Sequence, residues 1–376
     1  MTPHRLVGGA VVAGVTVLLS ATVLAQLSSQ WDYRDPTIPR LPDGKANLSA
    51  PAPRMPDGKP DLSGYWSPAG GMGQNLRYIH NVTEDLADED ILPWAEALSQ
   101  QRVRDQRKDA PLTDCLPMGI PWHASFNSMR MVQTPKLIVL TYQANNNNPS
   151  RTIYLDGRDL PKDPEPTWHG YSVGRWEGDT LVVTTAGFND RTWLDTAGHP
   201  QTESLRITER MRRRDLGHMD FEYTVEDPKA FKRPITIKID RQLAPDEDLR
   251  EDVCVELNKS AGHLVGGSSF VPKKATLATY AGIYALPSGE EVTVTVRGGD
   301  LVYVRGPGEF FESKMPLFPI ADGQFMSSGP GAFSPTPNIY EFGKDARGNI
   351  ARLTLKTAKG EKTATRKAAS GQVPPR

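Results

Sequence analysis

The sequence predicts an all-β protein with two antiparallel β-barrel or curved-sheet domains and one N-terminal helix region. Short segments rich in Val, Ile, Thr and Tyr alternate apolar and polar residues with a period of two, as half-buried strands do. Clusters of Gly, Pro, Asn and Asp separate these segments and predict turns. The chain of 376 residues is also long enough to bury two separate cores.

The first 25 residues have the pattern of an export signal. Arg5 supplies the positive charge, residues 6–19 are apolar, and Val23-Leu24-Ala25 fits the small-residue cleavage rule. Residues 6–25 are also just long enough to span a bilayer as an uncleaved anchor. We expect cleavage after Ala25, no stable membrane insertion afterwards, and a periplasmic or secreted mature protein.

Residues 26–60 are predicted to form an extended arm rich in Pro and Gly. The arm and the start of the next segment contain a near-repeat, LPDGKANLS at 41–49 and MPDGKPDLS at 55–63. Each Pro-Asp-Gly predicts a turn, because Pro fixes φ and Gly adopts a positive φ. Two copies are too few for a solenoid. We therefore expect the arm to lead into a main β domain at 61–264.

The main domain is predicted to contain one helix followed by a series of strands. The helix is expected from about Thr83, which can cap an acidic first turn, to Arg107, although Pro93 can split it. The predicted strands are 136–143, 151–155, 174–177, 180–186, 204–212, 219–226 and 235–240. The last two alternate strictly between apolar and polar residues, which predicts an antiparallel sheet with one buried face.

A linker at 265–274 is predicted to lead to a smaller β domain at 275–368, and the tail at 369–376 is predicted to be disordered. Val292, Val294 and Val296 alternate with polar residues, and Gly298-Gly299-Asp300 predicts a turn into a returning strand at 301–304. Further strands are expected at 324–326, 338–342 and 350–357. This number of strands favours a barrel or a strongly curved sheet.

The charge balance and the cysteine content indicate which binding partners, cross-links and cofactors to expect. The chain has 44 Lys and Arg and 45 Asp and Glu, so it lacks the basic field that nucleic acid requires. The two cysteines, Cys115 and Cys254, form an even pair, which in an exported protein predicts a disulfide. A catalytic cysteine is the alternative. No CxxC spacing is present, and we expect neither a metal nor a cofactor.

Two parts of the chain resemble bacterial families. The motifs YAGIY at 280–284, GGDL at 298–301, PG at 307–308 and DARGNIARLT at 345–354 resemble the small lipocalin-like β-barrel found behind serine-hydrolase domains of the penicillin-binding class. That resemblance implies a lipocalin-like accessory domain without catalytic residues. The motifs PDLSGYW at 60–66, GRWEGDTLVV at 174–183, GFND at 187–190 and WLD at 193–195 are similar to those of an exported family of unassigned function, which implies no mechanism. The serine-hydrolase motifs Ser-x-x-Lys with Lys-Thr-Gly, and Gly-x-Ser-x-Gly, are missing from the sequence.

The segment from His169 to Asp195 concentrates residues that could carry chemistry. Its Glu-Gly-Asp at 177–179 has the composition of a turn between two strands, which favours a structural role for these acids. A pair of Ser172 and His169 with a nearby acid is the alternative, but residues three apart do not face each other on a strand. A metal site of His169, His199 and Glu203 is disfavoured because Pro200 argues against the helix that would bring the last two together.

Glu209 is predicted to lie inside the barrel. It shares the parity of the apolar residues Leu205, Ile207 and Met211 on its strand. Because an unpaired buried charge is strongly destabilising, we expect a partner on a neighbouring segment. The candidate partners are Arg175, Arg158 and His169. Such a pair is either a structural ion pair or the polar end of a ligand cavity.

Three functions fit this pattern. In the first, the main barrel binds a small apolar or aromatic molecule, although aromatic residues in a barrel also often fill the core. The candidate ligand-binding residues are Trp66, His123, Tyr171, Arg175, Trp176 and Trp193.

In the second, a cofactor-independent acid–base enzyme (a hydrolase, lyase or isomerase) uses the same cavity. The candidate catalytic residues are His169, Asp195, Glu203 and Glu209. In the third, the protein has a structural or interaction role in the cell envelope. A hydrogen bond between His169 and an acid in a concave pocket would separate the second function from the first.

Overall fold

The computed structural model describes residues 34–69, 78, 81–105, 107–143, 148–251, 253–254, 271–307, 316–327, 338–357 and 359–367, without the side chains of 124–126. The predicted signal segment at 1–25 and the predicted tail at 369–376 lie outside these residues, as does most of the predicted linker. The domain boundaries given above therefore stay predictions. Among the described residues, no helix is long and apolar enough to cross a membrane.

The first β unit is a closed barrel of nine strands in sequence order. Its strands are β1 (Gly64–Pro68), β2 (Met129–Gln133), β3 (Leu137–Tyr142), β4 (Ser150–Tyr154), β5 (Tyr171–Glu177), β6 (Thr180–Ala186), β7 (Arg206–Arg213), β8 (His218–Glu226) and β9 (Ile235–Leu243). Pairing of β1 with β9 closes the barrel. The pair of β4 and β5 is parallel, so the sheet is not purely antiparallel.

The second β unit is a closed barrel of eight strands. Its strands are β10 (Gly282–Ala285), β11 (Glu291–Arg297), β12 (Leu301–Arg305), β13 (Pro316–Ala321), β14 (Gln324–Met326), β15 (Ile339–Lys344), β16 (Ile350–Thr357) and β17 (Gly360–Arg366). All described neighbouring pairs in this barrel are antiparallel. The predicted all-β fold with two barrels is confirmed.

Helices are a minor part of the described chain. They are α1 (Pro93–Arg104), α2 (Ile120–Phe126), α3 (Lys274–Ala278) and short 3₁₀ turns at Asp88–Asp90 and Pro111–Asp114. The helix expected from Thr83 in fact begins at Pro93, because proline fits the first helical turn, where its missing N–H leaves no hydrogen bond unmade. Helix α2 was not predicted.

The two near-repeats of the arm form the same turn, and the arginine directly before each repeat binds an aspartate of the first β unit; we call these two arginine–aspartate pairs the clamps. In the first repeat, Arg40 forms two hydrogen bonds of 2.7 and 2.5 Å with the carboxylate of Asp246. In the second, Arg54 forms two of 3.0 and 2.6 Å with Asp179. Each arginine also donates to the carbonyl of the glycine in its own Pro-Asp-Gly turn. Asp179 therefore pairs with the arm, whereas the sequence favoured a purely local turn role.

Between these two clamps the arm lies against the turn that joins β7 and β8. The backbone N–H groups of Leu216 and Gly217 donate to the carbonyls of Ala50 and Leu48, both at 2.7 Å. A Cβ atom on Gly217 would lie 2.3 Å from Cβ of Leu48. Glycine at 217 therefore allows the arm to approach the barrel closely.

The predicted disulfide between Cys115 and Cys254 is present. It joins two segments separated by 139 residues, with a Cα–Cα distance of 5.6 Å. One cysteine lies just before α2 and the other follows β9. The covalent bond thus ties the helical segment that carries α2 to the C-terminal end of the first barrel.

The second barrel contacts the segment that carries α1. Val103 of α1 packs with Leu301, Tyr303 and Phe318 of the second barrel. Arg104 donates to both carboxylate oxygens of Asp300 at 2.8 and 2.9 Å. This contact therefore combines apolar packing with an exposed ion pair beside it.

Candidate functional site

The interior of the first barrel contains a buried ion pair. Arg151 of β4 donates from Nη2 to Oε1 of Glu209 on β7 at 2.5 Å, and both side chains are almost fully buried. Glu209 lies inside the barrel, as its parity predicted. Its partner is Arg151 and none of the three residues considered from the sequence. Burial disfavours the charged guanidinium, but Glu209 outweighs this effect and raises the pKa of Arg151.

Arg151 is held by hydrogen bonds on its other nitrogens as well. Its Nε donates to the hydroxyl of Tyr142 at 3.0 Å, and its Nη1 lies 3.3 Å from the hydroxyl of Ser172 and 3.5 Å from that of Thr185. The two hydroxyls lie 2.9 Å apart. Ser172 is therefore part of the polar lining around Arg151, which is evidence against its pairing with a histidine as a nucleophile.

A second buried arginine lies on β9. Arg241 points into the barrel with the apolar residues of its strand and donates from Nη1 to the backbone carbonyl of Asn127 at 2.6 Å. Burial lowers its pKa. Tyr223, which stands opposite Glu209 on β8, is also buried, and burial and the charge of Glu209 raise its pKa.

Two histidines, His123 and His169, extend the buried polar groups around Arg151 into a polar row. His123 of α2 stacks on Tyr142 with ring centroids 5.2 Å apart, and the ring of His169, from the connection between β4 and β5, lies 5.4 Å from that of His123. Burial lowers the pKa of His123 well below its usual value, with a further contribution from His169. Burial and the positive charge of Arg151 lower the pKa of His169 to about 4. Both rings are therefore neutral at pH 7.

Three polar atoms in this row are buried without a hydrogen bond of ordinary geometry to any described residue. They are Nε2 of His123, Nε2 of His169 and Oε2 of Glu209. The hydroxyl of Tyr223, opposite Glu209 on β8, is buried in the same way. The backbone of Met118 lies near both imidazoles and slightly favours their charged form. Buried polar atoms are nearly always satisfied, so such a cluster marks a place where water or a ligand binds.

A separate polar cluster surrounds Asp195. Its Oδ2 lies 2.6 Å from Nδ1 of His199 and accepts from the backbone N–H of Val82 at 2.8 Å. Nε2 of His199 lies 3.5 Å from the hydroxyl of Thr83. Asp195 was expected to act with His169, but it pairs with His199 instead. The resulting order of Thr, His and Asp has the arrangement of a catalytic triad.

The hydrogen bonds around Thr83 argue against a triad. Its hydroxyl lies 2.7 Å from Oδ1 of Asn81, which can only accept, so the hydroxyl proton points to Asn81. His199 is then left to donate to Thr83, as an imidazolium does. Burial disfavours the positive charge of the imidazolium. The negative charge of Asp195 and its hydrogen bond have the larger effect, so the pKa of His199 is raised. The cluster borders a crevice between the two barrels, where Glu96 and Tyr303 also lie.

The other candidate residues are dispersed. Trp66 is fully buried and donates to the carbonyl of Leu62 at 2.9 Å. Trp193 is buried under Arg102, with the guanidinium carbon 4.6 Å from its ring. Trp176 is half-buried and packs against the core. These three tryptophans have structural contacts within the described residues.

The remaining candidates lie toward the outside of the barrel. The hydroxyl of Tyr171 accepts from Arg158 at 2.9 Å, and Arg175 pairs with Asp159 at 2.6 Å on the surface. Glu203 is exposed. Among the described residues, no three His, Cys, Asp or Glu side chains converge as a metal ion requires. His169, His199 and Glu203 therefore do not form a metal site here.

No family model matches the chain, and no curated protein matches its sequence. Among solved structures, an octameric penicillin-binding protein homologue from Pyrococcus abyssi matches 50% of this chain and 38% of its own at 15% identity, with a TM-score of 0.18. SurE with D-Leu matches 56% of this chain and 42% of its own at 15% identity, with a TM-score of 0.19. The chain thus spans about two fifths of these structures. At these TM-scores neither one informs the fold or the site.

Proposed function

We propose that the first barrel binds a small, largely apolar or aromatic molecule at the polar row formed by His169, His123, Tyr142, Arg151 and Glu209. The row runs inward from the half-buried ring of His169 to the fully buried carboxylate of Glu209. Barrels of about eight strands are either filled by their own side chains or hold one small ligand. Apart from the buried Arg241, the rest of the interior is largely apolar, which suits the body of such a molecule.

The three buried polar atoms without a described partner are the observation that carries this proposal. A folded core that served only for stability would gain by replacing them with apolar groups. They lie on two histidines and a carboxylate that stacking and hydrogen bonds join in one continuous row. A ligand with one or two polar groups would satisfy them.

The acid–base enzyme has less support. His169 has no described carboxylate within hydrogen-bonding distance, and Arg151 is the charged group that lowers its pKa. The one described His–Asp pair buried beside a crevice, His199 with Asp195, is arranged as an ion pair. An acid–base enzyme would need a base whose pKa lies nearer to the working pH than that of His169.

Mass spectrometry of the mature protein, purified from its native periplasm, tests the proposal. Under native conditions we expect an additional mass that is lost on denaturation. In His169→Ala the occupancy should fall, whereas His218→Ala, which removes a histidine that is hydrogen-bonded to Asp215, should keep it. A clean apo mass in every preparation of the wild type would argue against a tightly binding barrel.

We also propose that the protein acts outside the cytoplasm. The disulfide is compatible with an oxidising compartment, where such bonds persist. N-terminal sequencing of the mature protein should begin at Gln26, and fractionation should place it in the periplasm or medium. A chain that retains its first residues and sediments with membranes would favour an uncleaved anchor.

A further inference from the structure

We infer that the ligand of the first barrel is an uncharged aromatic compound with a hydroxyl group, and that the site rejects aromatic carboxylates. This inference rests on the proposed function and goes further by naming the ligand's chemistry. It follows from the hydrogen-bond donor or acceptor that each polar group in the row needs.

Arg151 is the group that would be expected to bind a carboxylate, but its nitrogens are already engaged. Its Nε, Nη1 and Nη2 each contact a described residue, and the contact on Nη2 is the carboxylate of Glu209. A second carboxylate at this place would meet Glu209 at close range in a low dielectric, where repulsion between like charges is strong. Recognition of an anion by Arg151 would therefore require the buried pair to open.

Glu209 needs a hydrogen-bond donor. Its Oε1 accepts from Arg151, and its Oε2 is buried with no described donor. A carboxylate oxygen can only accept, so its partner must bring an O–H or N–H group. A hydroxyl meets this requirement, whereas a hydrocarbon or a carboxylate does not.

His123 needs a hydrogen-bond acceptor. The side-chain amide nitrogen of Asn127 lies 3.0 Å from Nδ1 of His123. An amide NH₂ group donates, so Nδ1 accepts and the single proton of the neutral ring lies on Nε2. That N–H is buried without a hydrogen bond of ordinary geometry, although the backbone of Met118 lies close enough to act on the ring as a weak acceptor. A hydroxyl oxygen accepts and its proton can be donated, so a hydroxyl on an aromatic ring can meet the need of either group.

The flat surfaces in the row favour an aromatic ring as the body of the ligand. His123 and Tyr142 stack with an angle of 19° between their planes, and the ring of His169 is tilted by 42° from that of His123. Aromatic rings pair with each other in stacked or tilted arrangements beyond what burial alone provides.

Three probes of matched shape test the inference by isothermal titration calorimetry at pH 7.5. They are 4-ethylphenol, ethylbenzene and 4-ethylbenzoate. We expect 4-ethylphenol to bind at least tenfold more tightly than either of the others. Equal or tighter binding of 4-ethylbenzoate would overturn the inference, and so would equal binding of ethylbenzene, although a barrel that binds small aromatics would then remain.

Variants assign the selectivity to Glu209. In Glu209→Gln the preference for 4-ethylphenol over ethylbenzene should fall about tenfold, whereas Glu177→Gln, at an exposed glutamate paired with Arg210, should keep it. Because Glu209→Gln leaves Arg151 without its counter-charge and could unfold the barrel, the double variant Arg151→Met/Glu209→Met provides a second test. It should bind ethylbenzene at least as well as 4-ethylphenol. A preference for 4-ethylphenol that survives in the double variant would overturn the inference.

The proposed function and this inference can fail separately. If none of the three probes binds but a different molecule co-purifies, the barrel binds a ligand and the inferred class is wrong. If no probe binds and no molecule co-purifies, both are wrong.

Discussion

Replacing Arg151 with Met should destabilise the first barrel far more than removing any arginine from its surface. The side chains of Arg151 and Glu209 are 2% and 0% exposed, whereas those of the surface pair Arg210 and Glu177 are 44% and 60% exposed. Arg151→Met leaves a carboxylate in the barrel with no described counter-charge. Removing one partner of a buried pair typically costs about 3–5 kcal/mol, because the other charge remains desolvated.

Two further variants separate the charge from the packing. In Arg151→Met/Glu209→Met both charges are gone, and the free energy of unfolding should return to within about 2 kcal/mol of the wild type. Arg210→Ala removes an arginine from an exposed pair on the same strand as Glu209 and should cost less than about 1 kcal/mol. We therefore expect the loss in free energy of unfolding to depend on how deeply the remaining charge is buried and not on the number of salt bridges removed.

Tryptophan fluorescence during urea unfolding measures this barrel selectively. All seven tryptophans precede residue 200, so none lies in the second barrel. The midpoint and slope of the transition for the four proteins give the differences in free energy. If the free energy of unfolding of Arg151→Met falls by less than about 1 kcal/mol, the pair is not a desolvated ion pair. The same conclusion follows if the double variant is as unstable as Arg151→Met.

Three further predictions concern the disulfide, the arm and the pH dependence. Reduction of the disulfide, which spans 139 residues, should lower the free energy of unfolding by about 4–5 kcal/mol in the chain-entropy model, and an unchanged midpoint with dithiothreitol would contradict this. Gly217→Ala should detach the arm at Leu48, seen as faster proteolysis of residues 34–60. Gly157→Ala, at a glycine with a positive φ of 86° and open space around it, introduces local backbone strain without a clash against the arm and should leave the arm protected. The stabilisation from protonated His199 is complete below its unfolded pKa near 6.5 and is lost as the pH rises through its raised folded pKa. The difference in stability between the wild type and His199→Gln should therefore shrink above pH 7, and a difference that grows with pH would contradict the imidazolium assignment.

The strictly alternating strands β8 and β9 were predicted to within one and three residues of their bounds. The strand at Thr180–Ala186 was predicted to the residue, and so were those at Gln324–Met326 and Ile350–Thr357. Strands β1, β2, β10, β13 and β17 were missed. β13 contains two prolines, at 316 and 319, and β2 is only five residues long between a helix and a tight turn, so neither shows a long period-two pattern.

Part of the polar interior could have been found from the same parity that placed Glu209. Arg241 continues the inward series of Ile235, Ile237 and Ile239, and Arg151 shares the parity of Ile153. Parity gives the face of a side chain but not which strands lie opposite across a barrel. Sequence reasoning therefore considered Arg175, which has outward parity on β5, and overlooked Arg151.

The pairing of Asp195 with His199 was hidden for a different reason. Pro200 rightly argues against a helix, and without a helix a spacing of four residues is not expected to bring side chains together. Here a turn does so: the N–H of Gly198 donates to the backbone carbonyl of Asp195, and the N–H of His199 donates to its carboxylate. Turn chemistry around a buried Asp was the signal available in the sequence.

The interiors of the two barrels differ in the charged groups that they bury. The described part of the second barrel buries aromatic and aliphatic side chains and no charged one. The interior of the first barrel buries Arg151, Glu209 and Arg241 together with two neutral histidines. Because the second barrel closes without charges, closure of such a sheet does not require them. The charged interior of the first barrel needs another explanation, and a bound molecule that completes its hydrogen bonds provides one.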